Sequence, residues 1–295
     1  MKPKTIPLPE NYRLREVLAF HGRDPHRLAE DVSGNQLRKG LVLAGRPALL
    51  TISLAMHEAH YEITVDDNAN VIDDEALHAI VARILGLHFH PEPFEAMVAV
   101  EPMLGPIVTR QRGLRIPQSA TAFEALSWAI IGQQIGLGFA ITLRRRLIEL
   151  CGVRHSSGMA CYPDAAQLVR VSAEDLGELQ FSQAKSEALI HVAQLIEAGK
   201  LDLEQLRTSE PEAVFEELTA IKGIGPWTAN YVLMRGLGAV DCSLHGDAAV
   251  RAAIVRITAR AQKLPQIEAQ TMLKAYKPWR SLAAAHLWAS KALSA

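Results

Sequence analysis

The sequence predicts a mixed α+β fold, in which an N-terminal α+β domain with an antiparallel sheet is joined to two all-helical subdomains. Apolar and polar residues alternate near residue 50 and again near residue 61, whereas apolar residues recur at helical spacing from about residue 119 onward. The chain has 295 residues, more than one small core requires. We assign residues 1–97 to the N-terminal domain, 98–118 with 237–295 to one helical subdomain, and 119–236 to the other.

The composition is that of an ordinary soluble globular protein. A net charge of −1 and a hydrophobic fraction of 49% argue against a protein that coats a polyanion, although they allow a local basic face. Three cysteines without a Cys-x-x-Cys pair give no support for a disulfide framework, a zinc site or an iron–sulfur cluster. The N-terminus lacks the apolar core of a signal peptide, and no apolar run approaches the ~18 residues of a membrane span. We therefore expect a cytoplasmic protein without membrane contact.

The N-terminal domain is predicted from two strands and a helix. The stretch ALLTISLAM alternates apolar and polar positions from Leu50 to Met56, and YEITV shows the same alternation, so each predicts a strand with one buried face. Asp73 is placed to cap a helix whose apolar residues form one stripe and which ends at Gly86.

The helical part begins with a predicted capping box, Thr121 with Glu124, and a second one, Ser209 with Glu212, precedes a later helix. Between them the segment IGQQIGLG interrupts the helical pattern, which predicts helix, short turn, helix. The three arginines at 144–146 have two interpretations, either solvated charge on a helix or a contact to phosphate.

The segment LTAIKGIGPWTANYVLMRG, residues 218–236, predicts two helices joined by a tight turn. The first helix is expected to end at Lys222, and the second to begin at Pro226, a favoured first-turn residue, and to end with Arg235 and Gly236. The glycines of the turn leave backbone N–H groups uncovered at a helix N-terminus, which is a natural phosphate site. The alternative is a tight helix–helix corner that binds nothing.

A carboxylate, Asp247, follows this turn by about twenty residues in GAVDCSLHGDAAVRAAIVRI, at the predicted start of the next helix. Aspartate is a preferred N-cap, so its position alone favours a structural role.

The hairpin and Asp247 together resemble the superfamily of helix-hairpin-helix DNA glycosylases. The segments GIGPWTANYVLMRG, LHGDAAV and YKPWRSLAAAHLWAS are similar to DNA-3-methyladenine glycosylase II enzymes of the bacterial alkylation-repair type. The segment GLRIPQSATAFEALSWAIIGQQI resembles the approach to the loop that those enzymes wedge into DNA. The resemblance covers residues 100–295 clearly and the N-terminal domain weakly.

This resemblance implies a monofunctional DNA glycosylase that hydrolyses the N-glycosidic bond of alkylated bases, of the 3-methyladenine and 7-methylguanine type, in double-stranded DNA. Such an enzyme initiates base excision repair. By resemblance Asp247 is the catalytic carboxylate. Relatives that also cut the backbone carry a Schiff-base lysine near the position of Trp227, so this chain resembles the monofunctional members. Since an electron-deficient base favours stacking on aromatic faces, the expected base pocket consists of Trp227, Tyr231, Trp288 and Phe20.

The resemblance also implies a wedge loop and a hairpin that contact DNA. The residues expected to do so are Gln133, Gln134, Lys222, Gly223, Ile224, Gly225, Pro226 and Thr228. It implies no required cofactor, but hairpins of this family hold a monovalent cation, sodium or potassium, through backbone carbonyls. Those carbonyls would here belong to Thr219, Ile221 and Ile224. The expected partner is double-stranded DNA that contains a damaged base, bound by a monomer.

Three departures from the resembling enzymes leave alternatives open. The wedge loop offers Gln133 and Gln134 where DNA-3-methyladenine glycosylase II inserts a leucine, and a polar wedge fills a vacated stack less well. Gly246 replaces an acidic residue, and Ala248 replaces a pocket tyrosine. The alternatives are a glycosylase for another lesion, such as hypoxanthine, ethenoadenine or 8-oxoguanine, or a non-catalytic DNA protein that binds lesions.

Overall fold

A computed structural model describes residues 4–68 and 72–290 of the chain. Its N-terminal part contains a five-stranded antiparallel sheet with the strand order β1-β5-β4-β3-β2. The strands are β1 Lys4–Pro7, β2 Glu30–Ser33, β3 Gln36–Leu43, β4 Arg46–Leu54 and β5 Glu58–Val65. The mixed α+β fold class is confirmed.

Fourteen α-helices fall within the described residues, most of them in the C-terminal two thirds. They are α1 Leu14–His21, α2 Asp74–Ile84, α3 Glu92–Met97, α4 Gly105–Arg110, α5 Ala122–Gly132, α6 Leu137–Cys151, α7 Ala165–Leu168, α8 Ala173–Glu178, α9 Gln183–Glu197, α10 Pro211–Ala220, α11 Pro226–Val232, α12 Ala248–Ile257, α13 Gln266–Leu273 and α14 Arg280–Ala289.

The alternating strand pattern predicts β4 and β5 correctly but extends β4 too far. Leu50 and Ile52 are fully buried on the sheet, as expected. Met56 lies beyond the end of β4 and is 79% exposed, because the chain already turns there toward β5. Helix α2 begins as predicted, since the side chain of Asp73 accepts a hydrogen bond from the backbone N–H of Ala76 at 2.7 Å.

The two predicted capping boxes do not form. Thr121 caps α5 by accepting from the N–H of Glu124 at 3.1 Å, but the Glu124 carboxylate bonds to the N–H of Ala120 and to buried cations instead of returning to Thr121. Helix α10 begins at Pro211 with Glu210 as its N-cap, which leaves Ser209 one residue too early to cap it. In the first case a tertiary contact takes the glutamate side chain away from the cap, and in the second Pro211 places the helix start one residue later.

The two largest apolar cores of the described residues meet at a buried ion network. One core lies between the sheet, α1 and α2, and the other runs through the helical part from Phe89 to Leu287. Between them Lys39 of β3 contacts Glu124 of α5 at 2.8 Å, and Arg144 of α6 contacts Glu30 of β2 at 3.0 Å and Glu124 at 3.1 Å. Lys39 also pairs with Glu30, and all four side chains are at most 2% exposed. Both interpretations of Arg144 as a surface arginine are therefore wrong.

The second helix of the hairpin ends differently from the prediction. Helix α11 stops at Val232 and continues as a π-helical turn over Leu233–Leu237, and the left-handed residue that ends it is Gly238, with φ 86°. Gly236 lies inside that turn, where a Cβ atom would be 2.9 Å from the Cβ of Ala125. The glycine therefore permits close packing on α5 instead of ending a helix.

The predicted boundaries of the two helical subdomains stay a prediction, because one continuous apolar core runs through both. No helix within residues 4–68 and 72–290 is long and apolar enough to cross a membrane.

Candidate active site

The turn of the hairpin is formed where α10 unwinds. Ile221 leaves helical geometry with φ −77° and ψ 126°, and Gly223 adopts φ 92°, a left-handed conformation that favours glycine. A Cβ atom on Gly223 would be 2.8 Å from the Cβ of Ala188 on α9. Conformation and space therefore both require glycine at this position.

The turn ends at the N-terminus of α11, where Pro226 is exposed. Gly225 is its N-cap and Pro226 its first residue, so no side chain at the cap covers the N–H groups that follow. Ile224 is 4% exposed and anchors the turn in the core, as predicted. The bare N-terminus of α11 is thus presented on a rigidly held loop, which suits an anion.

Asp247 caps α12, and two tryptophans hold its carboxylate. Oδ1 accepts from the N–H of Val250 at 2.8 Å and from Nε1 of Trp288 at 3.0 Å. Oδ2 accepts from Nε1 of Trp227 at 3.0 Å. Asp247 can therefore be both an N-cap and a catalytic carboxylate. Oδ1 caps the helix, while Oδ2 can accept one more hydrogen bond.

Three of the four predicted pocket aromatics form a row beside this carboxylate. The ring centroids of Trp227 and Tyr231 are 5.4 Å apart, and those of Tyr231 and Trp288 are 6.5 Å apart. Tyr231 is 7% exposed and belongs largely to the core, whereas Trp227 and Trp288 are half-buried. The two tryptophans thus offer ring surface and a hydrogen-bonded edge at the same site.

Phe20 reaches this site from α1, but two cations already contact its ring. The guanidinium carbons of Arg23 and Arg235 each lie 4.3 Å from the Phe20 centroid. Arg235 also lies 5.4 Å from the Trp288 centroid and so connects Phe20 to the aromatic row. Phe20 therefore lies at the edge of the pocket, where its ring is engaged in cation–π contacts.

The predicted wedge loop corresponds to the segment between α5 and α6, which we call the wedge segment. Its two glutamines have different environments. Gln133 is half-buried, and its Nε2 donates to the carbonyl of Gly223 and to Oγ1 of Thr228, both at 2.9 Å. Gln134 is exposed and has φ 57°, so the chain turns sharply there and presents its side chain to solvent. Gln134 is the residue of the pair that could enter a DNA stack.

Lys222 and Thr228 also differ in access. The Lys222 side chain is 86% exposed and pairs with the exposed Glu187 at 3.4 Å, a surface ion pair weak enough for a phosphate to replace. Thr228 is 1% exposed, and its hydroxyl accepts from Gln133. Its predicted contact with DNA is therefore restricted to the backbone N–H.

The carbonyls predicted to hold a monovalent cation fit that role in their chemistry. Thr219 and Ile221 lie at the C-terminal end of α10, where carbonyls have no next helical turn to bond. The Ile221 oxygen accepts from the N–H of Ile224 at 3.0 Å and keeps a second lone pair. Neutral oxygens at a helix C-terminus suit a hard cation.

The family comparison identifies the class of protein to which this fold and site belong. Residues 127–280, more than half of the chain, match the family model described as HhH-GPD superfamily base excision DNA repair protein. The chain belongs to this superfamily.

Relatives and solved structures extend the likeness over almost the whole chain. The chain is 27% identical over 288 residues to a DNA-3-methyladenine glycosylase of Bacillus subtilis, covering 96% of this chain and 95% of the relative. It is 29% identical to DNA-3-methyladenine glycosylase 2 of Escherichia coli, covering 80% of this chain and 78% of the relative. A 3-methyladenine DNA-glycosylase structure from Archaeoglobus fulgidus superposes with a TM-score of 0.84 at 22% identity, covering 99% of each chain. That last likeness concerns the fold.

Two residues near the site were not predicted from the sequence. Arg235 was assigned only to a helix end, but it is buried, donates to the carbonyl of Pro117 at 2.5 Å and lies over two pocket rings. Burial lowers its pKa to about 10. Lys185 of α9 is buried beneath the wedge segment. No local pattern signals either role, because their partners are distant in sequence.

Proposed function

We propose that this protein is a monofunctional DNA glycosylase that removes alkylated bases, of the 3-methyladenine and 7-methylguanine type, from double-stranded DNA. The observation that carries this proposal is the Asp247 carboxylate, held by two indole N–H groups beside an aromatic pocket. The superfamily membership and the two relatives named DNA-3-methyladenine glycosylase support it.

The chemistry is hydrolysis of the bond between C1′ of the sugar and a base nitrogen. That bond breaks with its electron pair moving to the base, which leaves positive charge on the sugar. The Asp247 carboxylate stabilises this charge, and through Oδ2 it orients the water whose oxygen attacks C1′. The water proton passes to the carboxylate or to solvent. A base alkylated at a ring nitrogen is already cationic and departs without a strong general acid.

The base must leave the duplex before this reaction occurs. The hairpin N–H groups hold a phosphate without reading sequence, and Lys222 adds a positive charge. Gln134 enters the space that the flipped base vacates, and the rings of Trp227 and Trp288 receive the base.

We propose no lyase step, because the relatives that cut the backbone carry, by the resemblance, a Schiff-base lysine near the position where this chain has Trp227. A sodium or potassium ion bound by the carbonyls of Thr219, Ile221 and Ile224 would neutralise charge where the DNA phosphate approaches. We further propose that the protein acts as a monomer in the cytoplasm, which light scattering and fractionation would test.

The decisive experiment compares wild type with Asp247→Asn on duplexes that each contain one 7-methylguanine, ethenoadenine or hypoxanthine, followed by alkali. We expect strand breaks after alkali with wild type only, on the 7-methylguanine duplex. Breaks on another duplex would instead assign the alternative lesion. Breaks before alkali that survive the substitution would contradict the mechanism. Tight binding to a lesion duplex without any break would identify a non-catalytic lesion-binding protein.

A further inference from the structure

Helix α9 packs beneath both loops that the proposed function brings to DNA. Lys185, in the first turn of α9, is 8% exposed and donates from Nζ to the carbonyls of Ile130 at 3.1 Å and Gln133 at 2.6 Å. Both carbonyls belong to the C-terminal end of α5, where the negative end of the helix dipole favours a cation. Lys185 thus caps the C-terminus of α5, and Gln134 follows directly after the capped residue Gln133.

The residue held by Lys185 is in turn tied to the hairpin. The Gln133 backbone accepts from Lys185, while its side chain donates to the Gly223 carbonyl and to the Thr228 hydroxyl. A continuous series of hydrogen bonds therefore runs from α9 through the wedge segment to the hairpin turn. Residues separated by 52 to 95 positions in sequence are joined by it.

A second contact connects α9 directly to the hairpin. Ala188 lies three residues after Lys185, and its Cβ lies within 2.8 Å of the position that a Cβ on Gly223 would occupy. The hairpin turn therefore rests on the same face of α9 that holds the wedge segment. One rigid helix supports both loops.

We propose that Lys185 is a positioning residue for base flipping, which fixes the wedge residue Gln134 at a set distance from the phosphate-binding hairpin. This inference rests on the proposed function. A wedge fills the gap left by a flipped base only while the hairpin holds the adjacent backbone, so the spacing of the two loops determines whether the flipped state is stable.

The chemistry of Lys185 supports a specific role. Burial lowers its pKa to about 8, so the fold bears the cost of desolvating an ammonium group whose partners are two carbonyls. A residue without this ammonium group would remove the Lys185 donor from both carbonyls and leave the Ile130 carbonyl only the N–H of Gln133 at 3.3 Å, so the wedge segment would be free to shift.

The test uses Lys185→Met and Lys185→Arg in the full chain, with two pairs of substrates. The first pair is one 7-methylguanine in a perfect duplex and the same base in an unpaired bubble. The second pair is a duplex with a tetrahydrofuran abasic-site analogue and an undamaged duplex. The first pair reports excision, and the second reports how well the wedge fills a gap when no bond is broken.

We expect Lys185→Met to slow excision from the perfect duplex about tenfold and to leave the bubble rate near that of wild type, because an unpaired base needs no wedge. The same variant should also lower the ratio of affinities for the tetrahydrofuran duplex over the undamaged duplex by about tenfold. Lys185→Arg should restore both values, because its guanidinium also donates to carbonyls.

Thr228→Val provides a second variant, because it removes one acceptor of the Gln133 amide at a residue too buried to contact DNA by its side chain. Thr228→Val should slow excision from the perfect duplex and lower the preference for the tetrahydrofuran duplex, each by less than Lys185→Met does, and it should leave the bubble rate unchanged. Lys200→Met, beyond the other end of α9, removes an equal charge from an exposed position and should change neither ratio.

Equal losses on duplex and bubble, or no rescue by arginine, would overturn the positioning role and leave Lys185 a stabilising residue. A wild type that prefers the tetrahydrofuran duplex but excises nothing would overturn the proposed function alone, because the binding ratio still tests Lys185.

Discussion

At the scale of single residues, the carboxylate of Asp247 is the centre of the site, and its surroundings explain why two tryptophans are needed. Each indole N–H donates to a different carboxylate oxygen, so both oxygens of Asp247 are fixed in position. An aspartate that only capped α12 would need the Val250 N–H alone. The extra donors are consistent with an orientation that matters for chemistry.

We predict that Trp288→Phe slows excision roughly 10- to 100-fold, since a hydrogen bond to a charged group is worth about 1.5–3 kcal/mol and the aromatic ring is retained. Single-turnover kinetics on a lesion duplex would measure this change. Trp279→Phe is the matched control, because this half-buried tryptophan packs in the helical core. Equal rate losses for the two variants would refute the role assigned to the Trp288 N–H.

Gln134 illustrates a conflict between stability and function at one residue. A non-glycine residue at φ 57° is strained, by about 1–2 kcal/mol for an L-residue. We predict that Gln134→Gly keeps or raises the thermal unfolding midpoint while it lowers the rate of duplex excision. Calorimetry and excision assays on the same preparation would decide this. A variant that excises as fast as wild type would show that Gln134 is not the wedge.

At the scale of elements, the hairpin depends on glycine for two unequal reasons. Gly223 has a left-handed backbone, and a Cβ atom there would clash with Ala188. A Cβ atom on Gly225 would meet no neighbour within 4 Å among the described residues. Only the first glycine is therefore required by the fold. The second leaves the N-terminus of α11 uncovered.

Gly223→Ala is accordingly expected to destabilise the protein by about 1–3 kcal/mol, through a strained backbone and an overpacked contact with α9. It should also weaken DNA binding, because the turn moves. Gly225→Ala is the control for folding and should leave the unfolding free energy within about 0.5 kcal/mol of wild type. Urea titrations and DNA-binding isotherms would measure both. A larger loss of stability for Gly225→Ala would contradict this account.

At the scale of the whole molecule, the sheet and the helical part are joined through buried charges. Burial alone would raise the pKa of Glu30 and Glu124, but the attraction of Lys39 and Arg144 outweighs it and holds both below their ordinary value. Breaking one partner of such a network leaves an uncompensated buried charge. The orientation of α5 and α6 against the sheet is therefore set by electrostatics as well as by packing.

We predict that the protein loses stability in acid in two stages. Burial lowers the pKa of His21, and it lowers the pKa of His286 to about 3. Below pH 6.5 these two histidines therefore bind protons in the unfolded chain that they do not bind in the folded chain. Each such group lowers the unfolding free energy by about 1.4 kcal/mol per pH unit. Below pH 4.5, Glu30 and Glu124 add to the loss, because their folded pKa values are depressed.

Urea unfolding at a series of pH values between about 4 and 7.5 would test this. His286→Gln should reduce the slope between pH 4 and 6 by about one proton, or about 1.4 kcal/mol per pH unit. A stability that is independent of pH over this interval would contradict the prediction.

Much of the fold and part of the site could be predicted from local patterns. The apolar stripe of α2 and its Asp73 cap, the glycine turn of the hairpin and the position of Asp247 at a helix start are all encoded within a few residues. One error arose where a distant partner intervened. Glu124 meets Lys39 across 85 residues, and this contact replaced the capping box.

By itself, the sequence determined the fold class, the hairpin and the carboxylate, because periodicity, turn glycines and cap residues act over one or two helical turns. Only the tertiary structure decided that Arg144 is buried, that Arg235 lies over the pocket rings and that Lys185 supports the wedge segment. From sequence alone, an isolated arginine or lysine in a helix is predicted to lie on the surface. Its burial depends on acceptors supplied by other elements, and only the folded chain brings them together.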